Sequence, residues 1–142
     1  MENIGGVLLA GGFGTRLIPN TTSVNKHFLP IYDKPMIFYS ISLLLLSGIK
    51  NITIVCNETD VEPYSKLFGK GEELGINLTY SIQNNPDGIP HAINTALETN
   101  SYERNLVVLG DNFIYGREFF RDLKSIMPVS YTHLTLPTIL LV

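Results

Sequence analysis

A chain of 142 residues with 44% apolar content is large enough to bury one substantial core and too short to make two ordinary domains the default. Ten Lys and Arg against thirteen Asp and Glu leave a formal charge of -3, with no basic block to track a phosphodiester backbone, so nucleic acid is excluded as the expected partner. The longest apolar stretch, Ile41 to Leu46, is far below the roughly 20 residues of a membrane span. It reads as a core helix.

Ile4 to Ala10 is nearly all apolar and stops at Gly11 and Gly12, which predicts a strand buried on both faces and ending in a tight turn. No basic stretch precedes it of the kind a secretion signal carries, so the cytoplasm is the expected compartment. After an irregular stretch with Pro19 and Pro30, Pro35 and Gly48 bracket a predicted helix over Met36 to Leu46. Asn51 to Cys56 reads as a second strand, with Cys56, the single cysteine, as a small buried hydrophobe. A short helix is expected over Val61 to Phe68 after an Asp60 cap, and a third strand over Asn77 to Gln83.

The cluster Asn84, Asn85, Pro86, Asp87, Gly88 is a turn, and Pro90 suits the first turn of a helix reaching about Thr99. Leu106 to Leu109 is a fourth strand, and a helix over Glu118 to Ile126 follows. Strand and helix alternate throughout. That order predicts an α/β fold: a Rossmann-like three-layer arrangement, with a mostly parallel sheet and helices on both faces. Ligands in such sheets bind beyond the carboxyl ends of the strands, where Gly11 to Arg16, Gln83 to Gly88 and Asp111 would converge. The aromatic residues at 32, 38, 39, 64, 68, 119 and 120 are read as packing residues. A change of character near Pro128 divides a nucleotide-binding portion, residues 1–128, from a tail, 129–142, that shows no clear period and looks like junction sequence. His133 within it is not read as functional. The sheet is then expected to stop at an exposed edge.

The segment Leu9-Ala10-Gly11-Gly12-Phe13-Gly14-Thr15-Arg16-Leu17 lets main-chain N–H groups approach a ligand closely, which outlines a phosphate cradle. Thr15 adds a hydroxyl, and Arg16 a planar fork suited to phosphate oxygens. Leu17 stands where a dinucleotide fingerprint needs a third glycine, and Thr15-Arg16 stands where a Walker A loop needs Lys then Ser or Thr. Both familiar motifs are therefore excluded. Taken alone, the loop is also compatible with a plain strand-to-loop turn that carries an exposed arginine.

The stretch LAGGFGTRL, followed by NKHFLPIYDKPMI, SIQNNPDGIPHAI and VVLGDNFIYG in that order, resembles the sugar-phosphate nucleotidyltransferases, in particular those acting as glucose-1-phosphate thymidylyltransferases, over about residues 4–126. The resemblance implies Mg2+-dependent transfer of a nucleotide from dTTP to glucose 1-phosphate, releasing pyrophosphate, in an enzyme that is a homo-oligomer at full length. It implies Arg16, Lys26 and Asp111 as catalytic residues, Asp111 also as metal ligand, and Leu9, Gly11, Gly12, Gly14, Thr15, Gln83, Pro86 and Gly88 as nucleotide-binding residues. The physical demand behind such a set is charge: two anions must approach while more negative charge develops. Read without the resemblance, Arg16 and Lys26 could be ordinary surface cations and Asp111 the cap of a turn. Lys34, before Pro35, is assigned to the start of the helix and left out of the site.

Departures from the family pattern leave thymine, uracil and cytosine open as the base. Pro90 and His91 replace the usual Ala and Gln, His27 stands where Gln is frequent, and Phe13 replaces a small residue. A loop histidine such as His27 is expected to be polar surface. The sugar-recognising half and a second metal carboxylate would lie beyond this segment, so the chain alone is expected to be poorly active. A uridylyl- or cytidylyltransferase, or a non-catalytic nucleotide-sugar binding module, remains an alternative.

Overall fold

The computed structural model describes residues 4–12, 19, 24–85, 87–114, 116–126, 134–136 and 139–141. The elements in chain order are β1 (Ile4–Leu9), a two-strand hairpin of β2 (Pro30–Ile31) and β3 (Lys34–Pro35), α1 (Ile37–Leu46), β4 (Asn51–Cys56), α2 (Glu58–Phe68), β5 (Asn77–Ile82), α3 (Ile89–Thr99), β6 (Arg104–Leu109), α4 (Arg117–Ile126), β7 (Leu134–Leu136) and β8 (Ile139–Leu141). The main sheet runs β5-β4-β1-β6-β8-β7. Its first four strands are mutually parallel, and β8 and β7 are added antiparallel.

Every residue of β1 is buried, because the sheet is covered on both sides. Alternate side chains face opposite layers. Leu8, Ile52, Ile54, Leu106 and Val108 pack on one side with Ile37, Ile41 and Leu44 of α1, Tyr64 and Phe68 of α2 and Leu123 of α4. Val7, Leu9, Val55 and Val107 pack on the other with Ala92, Ile93 and Ala96 of α3. The expected three-layer α/β arrangement is thus the observed one.

The register brings the site together. Leu9 is level with Val55 on one side and Leu109 on the other, and Val55 is level with Ser81. Gly11, Asn57, Gln83 and Asp111 each stand two residues beyond that row. Main-chain bonds carry the ladder past the strand ends, from Ala10 N to Val55 O at 2.8 Å, Gly110 N to Leu9 O at 2.8 Å and Gln83 N to Cys56 O at 2.9 Å.

Several sequence expectations need correction. Pro35 belongs to β3 rather than to a helix start, because it pairs with Pro30 across a tight hairpin. Lys34 lies in the same strand, 3.6 Å from Asp33, and not at a helix start. At the hairpin tip Tyr32 is 98% exposed at φ 61°, so it is a turn residue and not a packing one. Helix α2 starts at Glu58 with Asn57 at its cap, so Asp60 lies in the first turn and is not the cap. Beyond β6 the sheet does not stop: Ile139, Leu140 and Leu141 pair with Val108, Val107 and Leu106, and β7 pairs outside them. The short segments 134–136 and 139–141 are too brief to show a period in the sequence, yet each is long enough for three ladder pairs.

Candidate functional site

A cleft of about 270 Å3 opens at the carboxyl ends of β1, β5 and β6 and is lined by Leu9, Gly11, Gly12, Lys26, His27, Gln83, Gly88, Ile89, Ala92, Leu109 and Asp111. Seven residues singled out from the sequence share it: Leu9, Gly11, Gly12, Lys26, Gln83, Gly88 and Asp111. Gly14, Thr15, Arg16 and Pro86 lie outside the described residues. Gly12 and Gly88 have φ of 99° and 93°, a region that side chains other than glycine avoid, so both positions need the residue they have.

Lys26 is placed by a single helical turn, Lys26–Phe28, whose cap is Asn25. The Asn25 side-chain oxygen accepts from the His27 main-chain N–H at 3.1 Å and faces His27 Nδ1 at 2.7 Å. A carboxamide oxygen only accepts, so the ring carries its proton on Nδ1. The Asn25 amide donates to Asp60 Oδ2 at 2.7 Å and to Ala10 O at 3.3 Å. Asn57 Nδ2 donates to the same carboxylate at 2.9 Å, while its Oδ1 accepts from Gly12 N at 3.4 Å. Asp60 thus ties the turn bearing Lys26 to the start of the glycine loop. None of Asn25, Asn57 and Asp60 stood out in the sequence as a site support, although Asn57 directly follows a predicted strand and Asp60 was read as a helix cap.

Lys26 Nζ lies 2.7 Å from Asp111 Oδ2, joining the two charges across the cleft. Partial burial works to raise the Asp111 pKa, but the hydrogen bond and charge of Lys26 outweigh it, with help from His27 and a main-chain N–H. The carboxyl is held below its ordinary range. In chemical terms the rim sets a cation, a group able to bind phosphate oxygens, beside a carboxylate, a group able to ligate a metal ion. Among the described residues no group of three His, Cys, Asp or Glu side chains could hold a metal ion. A lone carboxylate fits an ion carried mainly by phosphates and water, as Mg2+ commonly is, better than one caged by protein.

His27 corrects the expectation of a polar surface residue: it is 1% exposed. Burial and the adjacent Lys26 charge push its imidazole down to about 4, against the opposing effects of Asp111 and the Ala10 carbonyl, so the ring is neutral near pH 7. It fills the space beside Gly110, where an added Cβ would stand 2.8 Å from His27 Cδ2 and 3.0 Å from Leu9 O. That close approach was the available signal, as Gly110 directly precedes Asp111 at a strand end. Gly110→Ala is expected to cost about 1 to 3 kcal/mol of stability by overpacking, measured as a lower urea midpoint. An unchanged midpoint would show that His27 can move aside freely.

Cys56 is buried, as expected, and burial pushes its thiol up to about 12. Gln83 is 5% exposed and meets His91 of α3, a residue that the sequence marked only as a departure.

Parallel strands ending in a cleft with a glycine turn, a lysine and a carboxylate place the chain among α/β proteins that take their ligands at the carboxyl edge of the sheet. The sequence pattern of the nucleotidyl transferase family matches residues 5–134, and the chain belongs to that family. Among curated relatives, the chain is 43% identical over 120 residues to the glucose-1-phosphate thymidylyltransferase of Neisseria meningitidis serogroup A, covering 84% of this chain and 42% of that protein. It is 38% identical over 125 residues to the enzyme of the same name from Mycobacterium tuberculosis, covering 88% and 43%. A solved structure assigned as a glucose-1-phosphate thymidylyltransferase from Bacillus anthracis, in complex with a sucrose, superposes with a TM-score of 0.78 at 31% identity, over 86% of this chain and 50% of that one. A UDP-glucose pyrophosphorylase complexed with UDP-glucose gives 0.71 at 25% identity, over 87% and 52%. The chain spans under half the length of these two curated relatives. Among the described residues no helix is long and apolar enough to cross a membrane.

Proposed function

We propose that this chain is the nucleotide-binding portion of a glucose-1-phosphate thymidylyltransferase, which converts dTTP and glucose 1-phosphate to dTDP-glucose and pyrophosphate. The observation that carries the reading is the gathering of Gly11, Gly12, Lys26, Gln83, Gly88 and Asp111 around one cleft. In this reading the glycine loop, with Gly14 and Thr15, cradles the triphosphate, while Arg16 and Lys26 neutralise the approaching oxygens. Asp111 would hold Mg2+, which when bound offsets the charge that builds on the phosphoryl and leaving oxygens. Gln83 and Gly88 take the pyrimidine edge, with Pro86 shaping their turn. The sugar phosphate oxygen attacks the α-phosphorus, forming one P–O bond as the bond to pyrophosphate breaks. The cytoplasm and a homo-oligomeric parent enzyme belong to the same reading.

The test supplies a polypeptide extended to the length of the relatives with each nucleoside triphosphate, glucose 1-phosphate and Mg2+, and follows pyrophosphate release. The fastest release is expected with dTTP. Faster release with UTP would favour a uridylyltransferase, a reading for which the likeness to the UDP-glucose pyrophosphorylase speaks. Tight nucleotide binding with no pyrophosphate from any sugar phosphate would leave a non-catalytic binding module.

A further inference from the structure

We infer that His91 is a positioning residue that fixes which way round the Gln83 carboxamide stands, so that the cleft accepts a pyrimidine presenting N3–H and disfavours cytosine. The inference rests on the nucleotide-binding reading above and deepens it by naming what sets the base.

Gln83 has little freedom at its backbone, where its N–H donates to Cys56 O at 2.9 Å, and its side chain is nearly enclosed. The open choice is rotation of the terminal amide by half a turn, which exchanges oxygen and nitrogen. Gln83 Nε2 stands 2.9 Å from His91 Nδ1. An amide nitrogen donates and does not accept, so the ring contributes its Nδ1 lone pair and carries its proton on Nε2. His91 sits on the first turn of α3, and its carbonyl accepts from the Thr95 hydroxyl at 2.9 Å. The Gln83 oxygen is left turned towards Gly11, 3.0 Å from where a Cβ on that residue would be, and Gly11 and Gln83 line the same cleft.

An oxygen presented to the cleft accepts a hydrogen bond from N3–H of thymine or uracil. Cytosine offers a lone pair at N3, and two acceptors facing each other repel. Reversing the amide would reverse the preference. A histidine at position 91 therefore acts on the base through Gln83 without touching the nucleotide.

The test compares dTTP with dCTP, whose charges are the same, so the ratio of their dissociation constants cancels any general electrostatic change. Calorimetry on the 142-residue chain should show dTTP bound more tightly. His91→Asp supplies an acceptor and no donor at a similar reach, and should keep that ratio. His91→Phe supplies neither and should lower it on the order of tenfold, about one hydrogen bond's worth. His91→Lys, a donor only, should lower it further. Equal ratios in wild type and the Phe variant overturn the inference, as does an equal loss in the Phe and Asp variants or the absence of discrimination in wild type. Failure of wild type to bind either nucleotide would instead sink the nucleotide-site reading. In that case the Gln83 side-chain amide signals in NMR still decide the lock: one amide proton should lose its hydrogen-bonded shift in His91→Phe, and unchanged signals would overturn it.

Discussion

Replacing Asp111 by Asn, in a polypeptide extended to the relatives' length, is expected to lower kcat/KM for pyrophosphate release by about 3 to 4 kcal/mol, or two to three orders of magnitude, the scale of one lost transition-state contact. The substitution keeps the shape of the side chain and removes its charge, so Lys26 loses the partner now 2.7 Å away and any bound cation loses its only carboxylate among the described cleft-lining residues. The sign of the effect on binding differs. Without divalent metal, a carboxylate beside a triphosphate repels it, so Asp111→Asn in the 142-residue chain should bind metal-free dTTP at least as tightly as wild type, while the gain in affinity on adding Mg2+ shrinks. Calorimetric titrations with and without EDTA separate the two. A rate loss below tenfold, with the Mg2+ gain intact, would remove Asp111 from the metal site.

The second large effect is acid sensitivity arising from His27. Its folded pKa of about 4 lies below the ordinary 6.5, so the unfolded chain takes up a proton in a range where the folded chain does not. The stability contribution is present in full above pH 6.5 and is lost as pH falls from there towards 4, by about 3 kcal/mol in total. Urea denaturation of wild type and His27→Gln at pH 7 and pH 4 measures it. Glutamine keeps polar atoms at similar reach but does not titrate, so the difference between the two proteins should move against wild type by about that amount on acidification. Parallel pH curves for the two proteins would place the acid effect elsewhere, Asp111 being the next candidate because its lowered pKa acts in the same direction at lower pH.

How much of this was legible depended on whether the signal was local. Strand β1 and residues 106–109 of β6 are continuous apolar runs, β4 is apolar apart from Asn51 and Thr53, and α1 is an apolar segment closed by Gly48, so each declares itself within its own span. Gly11 and Asp111 were legible as candidate site residues because they follow such runs, and Gln83 because it directly follows the alternating strand β5, since a parallel sheet carries strand ends to one side. What escaped depends on partners far along the chain. The burial of His27 depends on Gly110, and the support of Lys26 on Asp60 through Asn25. The role of His91 depends on Gln83 eight positions away, across a turn. The hairpin β2–β3 offers two residues per strand, too few for any alternation to appear.

The direction of β8 has a practical consequence. Because it runs against β6, Leu141 ends level with Leu106, below the Leu109 end from which Asp111 rises. Ile4, where the main sheet begins, is level with Arg104 at the bottom of the same strand. Ile4 and Leu141 therefore both stand towards the side of the sheet away from the mouth of the cleft. A nucleotide approaching the mouth therefore meets the Leu109 end of the sheet first, and the Leu141 end of β8 stands clear of that entrance.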